Sequence, residues 1–91
     1  MEEMVTFELP GHGEAVALRA QLAASRLCLV DYDDGTWQVR AGVAPEAEDF
    51  AVLLRTVEAW VERMELRRIG FRTDGRSYAL VAGSLGARVA A

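Results

Sequence analysis

The stretch LVDYDDGTW, residues 29–37, decides the fold because the pair Asp34-Gly35 separates two apolar runs. Asp-Gly supplies the two positive φ angles of a type I′ turn, and the twist of this turn matches the strands that it connects. The same pair returns as Asp74-Gly75 between two further runs of alternating apolar residues. The sequence therefore predicts two β-hairpins.

Aspartates crowd the first turn, and Asp31, Asp33 and Asp34 offer carboxylate oxygens of the kind that bind hard cations. The spacing of a calcium-binding loop, with its terminal glutamate, is missing. We attribute these residues to turn formation and solvation. A second acidic set, Glu58, Glu62 and Glu65, predicts a solvated helix face, because no histidine joins it at ligand spacing. We expect no metal site.

One strand and two helices complete the predicted elements. Val5, Phe7 and Leu9 alternate with polar residues, which is the period of a half-buried strand. An alanine-rich run over residues 14–24 predicts the first helix. The second helix opens at Pro45 and carries an apolar stripe wide enough to lie across a sheet. That stripe consists of Phe50, Leu53, Leu54, Val57, Trp60, Val61 and Met64.

The order strand, helix, hairpin, helix, hairpin is a split βαββαβ unit with one added C-terminal strand. We therefore predict an α+β, ferredoxin-like sandwich. Right-handed crossovers give the antiparallel strand order 2-3-1-4-5, with both helices on one face and the other face open. Residues 1–82 would form this single domain, and the small, glycine-broken residues 83–91 predict a tail that is flexible unless docked.

Composition excludes several chemistries for this chain. Its 91 residues include no lysine and no asparagine, a bias that we attribute to a GC-rich bacterial genome. Schiff-base chemistry and the phosphate-loop lysine are thereby excluded. The net charge of -4 argues against nucleic acid as a partner, although arginines cluster near Phe71 and Tyr78. The sequence indicates no cofactor.

Targeting signals point to no membrane partner. The first residues, Met1–Met4, are acidic where a signal peptide is basic, and no apolar run approaches the length of a membrane span. We therefore expect a cytoplasmic protein.

The loop after the first strand holds the first candidate site, formed by Gly11, His12 and Gly13. Glycines leave backbone N–H groups accessible where a helix begins, and such groups favour a carboxylate or phosphate. The other explanation is that the glycines simply allow a tight turn. His12 is the only histidine, but no suitable nucleophile accompanies it, so we predict no catalytic residue.

The second candidate site is an interface in the second strand, where both alternating sets are apolar. Leu27 and Leu29 would face one side, and Cys28, Val30 and Tyr32 the other. A strand with two apolar faces is typical of burial on both sides, which indicates a partner and most simply a second copy of the chain. Cys28 is the only cysteine, so no disulfide forms within the chain.

Two families resemble this element order. ACT-type regulatory domains share the βαββαβ order and a Pro-Gly after the first strand, here Pro10-Gly11, which implies amino-acid binding at a dimer interface. Dimeric α+β barrel proteins, including cofactor-independent monooxygenases and haem-handling relatives, are similar in having a strand after the fourth, here Tyr78 to Ala82. The lone His12 and the absence of asparagine give no match to a barrel active site.

Three functions follow as hypotheses. The first is a small non-enzymatic module that forms a homodimer and binds a partner protein or a small anionic ligand. The second is a dimeric α+β barrel enzyme, resembling the oxygenases, with an apolar pocket between the sheet and the second helix lined by Phe7, Trp37 and Trp60. The third is an accessory subunit of a larger complex, which contacts its partner through the acidic helix face or the tail.

Overall fold

The structure, a computed structural model, describes residues 3–81. Its elements in chain order are β1 Glu3–Leu9, α1 His12–Leu22, β2 Cys28–Asp33, β3 Thr36–Val43, α2 Ala47–Arg63, β4 Arg68–Thr73 and β5 Arg76–Val81. The five strands form one antiparallel sheet in the order β2-β3-β1-β4-β5. This confirms the predicted ferredoxin-like sandwich with an added strand. The predicted tail lies outside the described residues.

Both hairpins close with the predicted turns. Asp34 and Gly35 have φ angles of 53° and 77°, and Asp74 and Gly75 have φ angles of 54° and 71°. Two positive φ angles in succession define the type I′ turn. Each turn leaves two residues between paired strands, so it also fixes the register of its hairpin.

The core lies between the two helices and one face of the sheet. In the central strand β1, Val5, Phe7 and Leu9 are all buried, and Phe7 pairs with Val39 of β3 on one side and Phe71 of β4 on the other. Both helices cover this face with buried side chains. These are Leu18 and Leu22 of α1 and Leu53, Val57, Trp60 and Val61 of α2. The alternate residues of each strand form the open face.

The first helix begins at His12, two residues before the predicted start, and ends at Leu22. Gly11 is extended at the N-cap position, and its carbonyl oxygen accepts the Ala15 N–H at 3.1 Å. The helical hydrogen bonds therefore begin within the Gly-His-Gly loop, in residues whose intrinsic helix propensity is poor. Helix propensity alone could not place this start.

One expectation for the second helix is wrong. Glu58 is buried at 9% exposure, whereas Glu62 and Glu65 are exposed. Helix α2 lies against both the sheet and α1, so its buried side is wider than its apolar stripe. Glu58 falls within that wider side and does not belong to a solvated acidic face.

Helix α2 ends in a Schellman motif formed without glycine. Glu65 has a φ angle of 59°, Leu66 N–H donates to the Val61 carbonyl oxygen at 3.0 Å, and Glu65 N–H donates to that of Glu62 at 3.1 Å. The left-handed conformation costs a residue with a Cβ about 1 kcal/mol relative to glycine. A carboxylate at a helix C-terminus also opposes the helix dipole.

We predict that Glu65→Gly raises the free energy of unfolding by about 1 kcal/mol, because glycine adopts the left-handed conformation without strain. Urea denaturation measures this difference. Glu65→Gln is the matched control, since it removes the charge and keeps the Cβ, and it should give less than half of the gain. Equal gains in both variants would show that the backbone conformation carries no cost.

Candidate functional site

A cleft of about 440 Å³ opens between the start of α2 and the β4–β5 hairpin. We call it the α2 cleft. Its lining consists of Glu3, Val5, Val43, Ala44, Pro45, Glu46, Ala47, Phe50, Leu54, Phe71, Thr73, Asp74 and Tyr78. These residues come from four strands, the connection between β3 and α2, the first turns of α2 and the second hairpin turn. The volume is that of a cleft for a small organic molecule.

The walls of the α2 cleft are apolar and aromatic. Phe50 and Leu54 lie one helical turn apart on α2 and are partly buried. Phe71 and Tyr78 are cross-strand neighbours in the β4–β5 hairpin, with ring centroids 5.2 Å apart and an interplanar angle of 23°. Phe71 is buried, whereas Tyr78 is 45% exposed. The cleft therefore presents an aromatic surface supported by the core.

The rim of the α2 cleft carries carboxylates from three separate elements. Glu3 begins β1, Glu46 is the N-cap residue of α2, and Asp74 is the first residue of the second hairpin turn. Among the residues in the described part of the chain that line this cleft, none is lysine, arginine or histidine. The charged side chains among these lining residues are therefore all carboxylates.

The predicted anion site lies at the opposite end of β1. His12 packs against Trp37 with ring centroids 4.5 Å apart, and Trp37 packs against Tyr32 at 4.8 Å. The Glu14 carboxylate lies beside the loop, since its Oε1 would be 2.9 Å from a Cβ atom built on Gly11. An anion at Gly11, His12 and Gly13 would meet this negative charge, and the site stays a prediction.

The residues that we expected to line an apolar pocket do not line the α2 cleft. Phe7 and Trp60 are buried in the core, and Trp37 packs against His12. The cleft instead takes its aromatic residues from β4, β5 and the first turn of α2. Its rim begins at Glu3, six residues along β1 from Leu9 and therefore about 20 Å from the His12 end of the strand.

The residues of the predicted interface divide between the two faces of β2, as their alternation indicated. Leu27 and Leu29 are 54% and 45% exposed on the open face, so the described residues 3–81 leave this side of the strand uncovered. Cys28 is buried, Val30 is packed against the core, and Tyr32 is exposed beside Trp37.

Burial raises the pKa of the Cys28 thiol, with Arg19 and Arg26 opposing the shift. Cys28 therefore packs inside this chain and offers nothing to a surface contact.

Charged pairs occupy much of the remaining open face. Arg40 donates to the Asp31 carboxylate at 3.1 Å, and Arg72 Nε lies 3.8 Å from Glu8 Oε2. Arg72 alternates along β4 with Phe71, so these two side chains lie on opposite faces of the sheet. A single surface of arginines and aromatic rings, as for stacking nucleic-acid bases, is not formed on β4.

An internal ion pair connects three segments of the chain. Arg26, between α1 and β2, donates to both Asp49 carboxylate oxygens at 3.0 and 3.1 Å and to the Gly42 carbonyl oxygen at 2.9 Å. Asp49, in the first turn of α2, also accepts the Ala44 N–H at 2.8 Å. These hydrogen bonds hold the pKa of the Asp49 carboxyl below its usual range. Those from Arg26 have the largest effect, and the one from the Ala44 N–H has the next largest. A hollow of about 510 Å³ lies over this pair, whose donors and acceptors are already engaged within the fold.

No protein family matches the chain, and neither a curated protein sequence nor a solved structure matches it. Within residues 3–81, the acidic, histidine and cysteine side chains form no group of three that could hold a metal ion. Over the same residues, no helix combines the length and apolar character that crossing a membrane requires. Geometry and chemistry are therefore the grounds for assigning a function.

The sequence analysis did not predict the α2 cleft, although one pair of its lining residues is predictable from the sequence. The two-residue turn at Asp74-Gly75 places Phe71 opposite Tyr78 by simple counting, which predicts an aromatic pair. The position of α2 over the sheet cannot be obtained by counting residues from a turn. The apolar stripe of α2 predicts only that Phe50 belongs to the core. Phe50 also lines the cleft, because α2 begins beside the hairpin.

We predict that acid destabilises the protein partly through Asp49. Its pKa is lowered on folding, so its contribution is present above about pH 4 and is lost as pH falls through the folded-state value. The free energy of unfolding, measured in urea from about pH 7 to about pH 3, should therefore fall less steeply for Asp49→Asn than for the native chain.

The background variant Arg26→Met provides the control for this prediction. It removes the main cause of the lowered pKa, so adding Asp49→Asn to it should change the pH dependence only slightly. If Asp49→Asn flattens the pH dependence equally in both backgrounds, the Arg26 guanidinium does not stabilise the Asp49 carboxylate.

Proposed function

We propose that this chain is a small non-enzymatic binding module that works as a homodimer and holds a small molecule in the α2 cleft. The observation that carries the proposal is the exposed pair Leu27 and Leu29, of which Leu29 lies on edge strand β2 and Leu27 directly before it. The contact with the second copy lies on the open face of the sheet, whereas the cleft lies on the opposite face. Each can therefore be tested without disturbing the other.

Edge strand β2 and its neighbours form an apolar corner of the open face, which we define by Met4, Leu27, Leu29 and Gly42 and call the β2 corner. The Gly42 N–H donates to the Leu27 carbonyl oxygen at 2.9 Å, and Gly42 is paired with Met4 in the sheet. These three residues and Leu29 are therefore close neighbours. Leu27 and Leu29 are exposed and Met4 is partly exposed. Exposed apolar side chains in one place favour a protein contact, and a two-fold dimer would use the same corner of both copies.

The charges on the open face favour contact at the β2 corner over contact at the centre of the sheet. Asp31 is paired with Arg40 and Glu8 with Arg72, all of them exposed. Burying these four charged groups would cost desolvation energy that leucines do not incur. The corner can be buried while the ion pairs stay in water.

The position of His12 favours a binding role for the cleft over catalysis by this histidine. The titratable side chains that line it are Glu3, Glu46, Asp74 and Tyr78, whereas His12 lies at the other end of β1. A general base must come within hydrogen-bond distance of the group that it deprotonates. His12 cannot act on a molecule held in the α2 cleft of its own chain.

We predict that the native chain is a dimer at micromolar concentration and that the double substitution Leu27→Ser and Leu29→Thr weakens the dimer by at least roughly tenfold in Kd. Four leucines would leave the interface of the dimer, and threonine keeps the β propensity of the strand. Analytical ultracentrifugation over a concentration series measures the change.

The control for this experiment is Val81→Thr. Val81 is 43% exposed on β5, the other edge strand, and far across the sheet from the β2 corner. This variant should keep the native dimer. A native chain that stays monomeric throughout the series, or a dimer that both variants weaken equally, would contradict the proposed interface.

A further inference from the structure

We infer that the ligand of the α2 cleft is a small organic cation, with an apolar body and a protonated amine. This inference rests on the proposed binding function of the cleft and adds the chemical class of its ligand. Two independent features of the cleft carry it, an exposed aromatic surface and a rim of carboxylates from separate elements. Both features stabilise positive charge next to apolar surface.

The aromatic surface is formed by Tyr78. Its ring stacks on Phe71, whose ring packs in turn against Phe7 with centroids 5.8 Å apart. This series of rings extends from the core to the cleft. The ring of Tyr78 is therefore supported by Phe71 on one side, although almost half of the residue is exposed. A positively charged group over an aromatic face is attracted by the negative potential of the ring, and such contacts are typical of ammonium sites.

The three carboxylates of the rim belong to different segments of the fold. Glu3 starts β1, Glu46 precedes the first turn of α2, and Asp74 is held in the hairpin turn with a φ angle of 54°. The fold brings these negative charges around one opening that no described cationic side chain lines. These carboxylates would attract a bound cation, whereas they would repel an anion.

Three carboxylates outside the rim are already paired with arginines of the chain. Asp49 is engaged by Arg26, Asp31 by Arg40, and Glu8 lies near Arg72. Each of these pairs satisfies its carboxylate within the chain. The rim combines three carboxylates with an opening large enough for a ligand to supply the positive charge.

The size of the cleft favours a small molecule over a macromolecule. Its volume of about 440 Å³ falls within the range of small-ligand sites and exceeds what a bare metal ion needs. Phe50 and Leu54 offer apolar contact for a ring or a short alkyl chain. A ligand with a ring at this wall and an ammonium group at the rim would use both parts of the cleft.

Three probes that share one skeleton test this inference: 3-phenylpropylamine, 3-phenylpropanol and 3-phenylpropanoate. They are positively charged, neutral and negatively charged at neutral pH, and are otherwise closely matched. Titration of the full chain, followed by amide chemical shifts in NMR spectra, gives Kd and locates the site. We expect the amine to bind several-fold more tightly than the alcohol, the carboxylate to bind most weakly, and the shifts to include Phe50 and Tyr78.

The variant Asp74→Asn removes one rim charge, and asparagine keeps the positive φ angle that the turn requires. It should weaken the amine roughly twofold to fivefold and leave the alcohol unchanged. Asp34→Asn makes the same substitution in the other Asp-Gly turn, which does not line the cleft, and should change neither probe. Adding Glu46→Gln to Asp74→Asn should raise the loss to roughly tenfold.

The outcomes separate this inference from the proposed function. Equal binding of amine and alcohol in the cleft would overturn the cationic ligand and leave a small-molecule site in place. The same loss in Asp74→Asn and Asp34→Asn would also overturn it, because a general charge effect would then explain the preference. If no probe shifts the cleft amides, both the ligand class and the binding role of the cleft fail, whereas the dimer is judged by its own experiment.

Discussion

The central strand β1 has one covered face, and the rest of the structure depends on that burial. Val5, Phe7 and Leu9 point into the core beneath both helices, and the antiparallel register carries the same direction to the neighbouring strands. Since side chains alternate along a strand, burying one set leaves the other on the open face. Burial of β1 thus determines which residues of all five strands can meet a partner.

The cleft arises where this coverage ends. Leu80 of β5 is buried in the core, whereas Tyr78, two residues earlier and on the same face, is almost half exposed beside the start of α2. The hairpin turn and the first turn of the helix come together there, each bringing a carboxylate. This ferredoxin-like sandwich with a further strand therefore has a cleft at the hairpin end, and the chemistry of that cleft depends on a few side chains.

Charge is distributed in two distinct ways across the molecule. The Arg26–Asp49 pair is internal and joins the α1–β2 connection, the end of β3 and the start of α2 through four hydrogen bonds. It stabilises the arrangement of segments that also forms one side of the cleft, since Ala44 contacts both Asp49 and the cleft. The rim carboxylates are exposed instead, and this exposure is the reason that we propose a role in ligand recognition for them.

The sequence by itself determined the two hairpins and the apolar face of each element, because alternation, helical periodicity and the geometry of Asp-Gly turns are local properties. The rule that crossovers are right-handed then converted the order of the elements into the strand order. It could also pair Phe71 with Tyr78, since a two-residue turn fixes the register. Only the tertiary structure decided that Glu58 is buried, that α1 begins at His12, and that Phe7 and Trp60 fill the core while Phe50 lines a cleft. These outcomes depend on how far α2 extends over the sheet and against α1, and that position results from the packing of residues distant in sequence, which no local pattern contains.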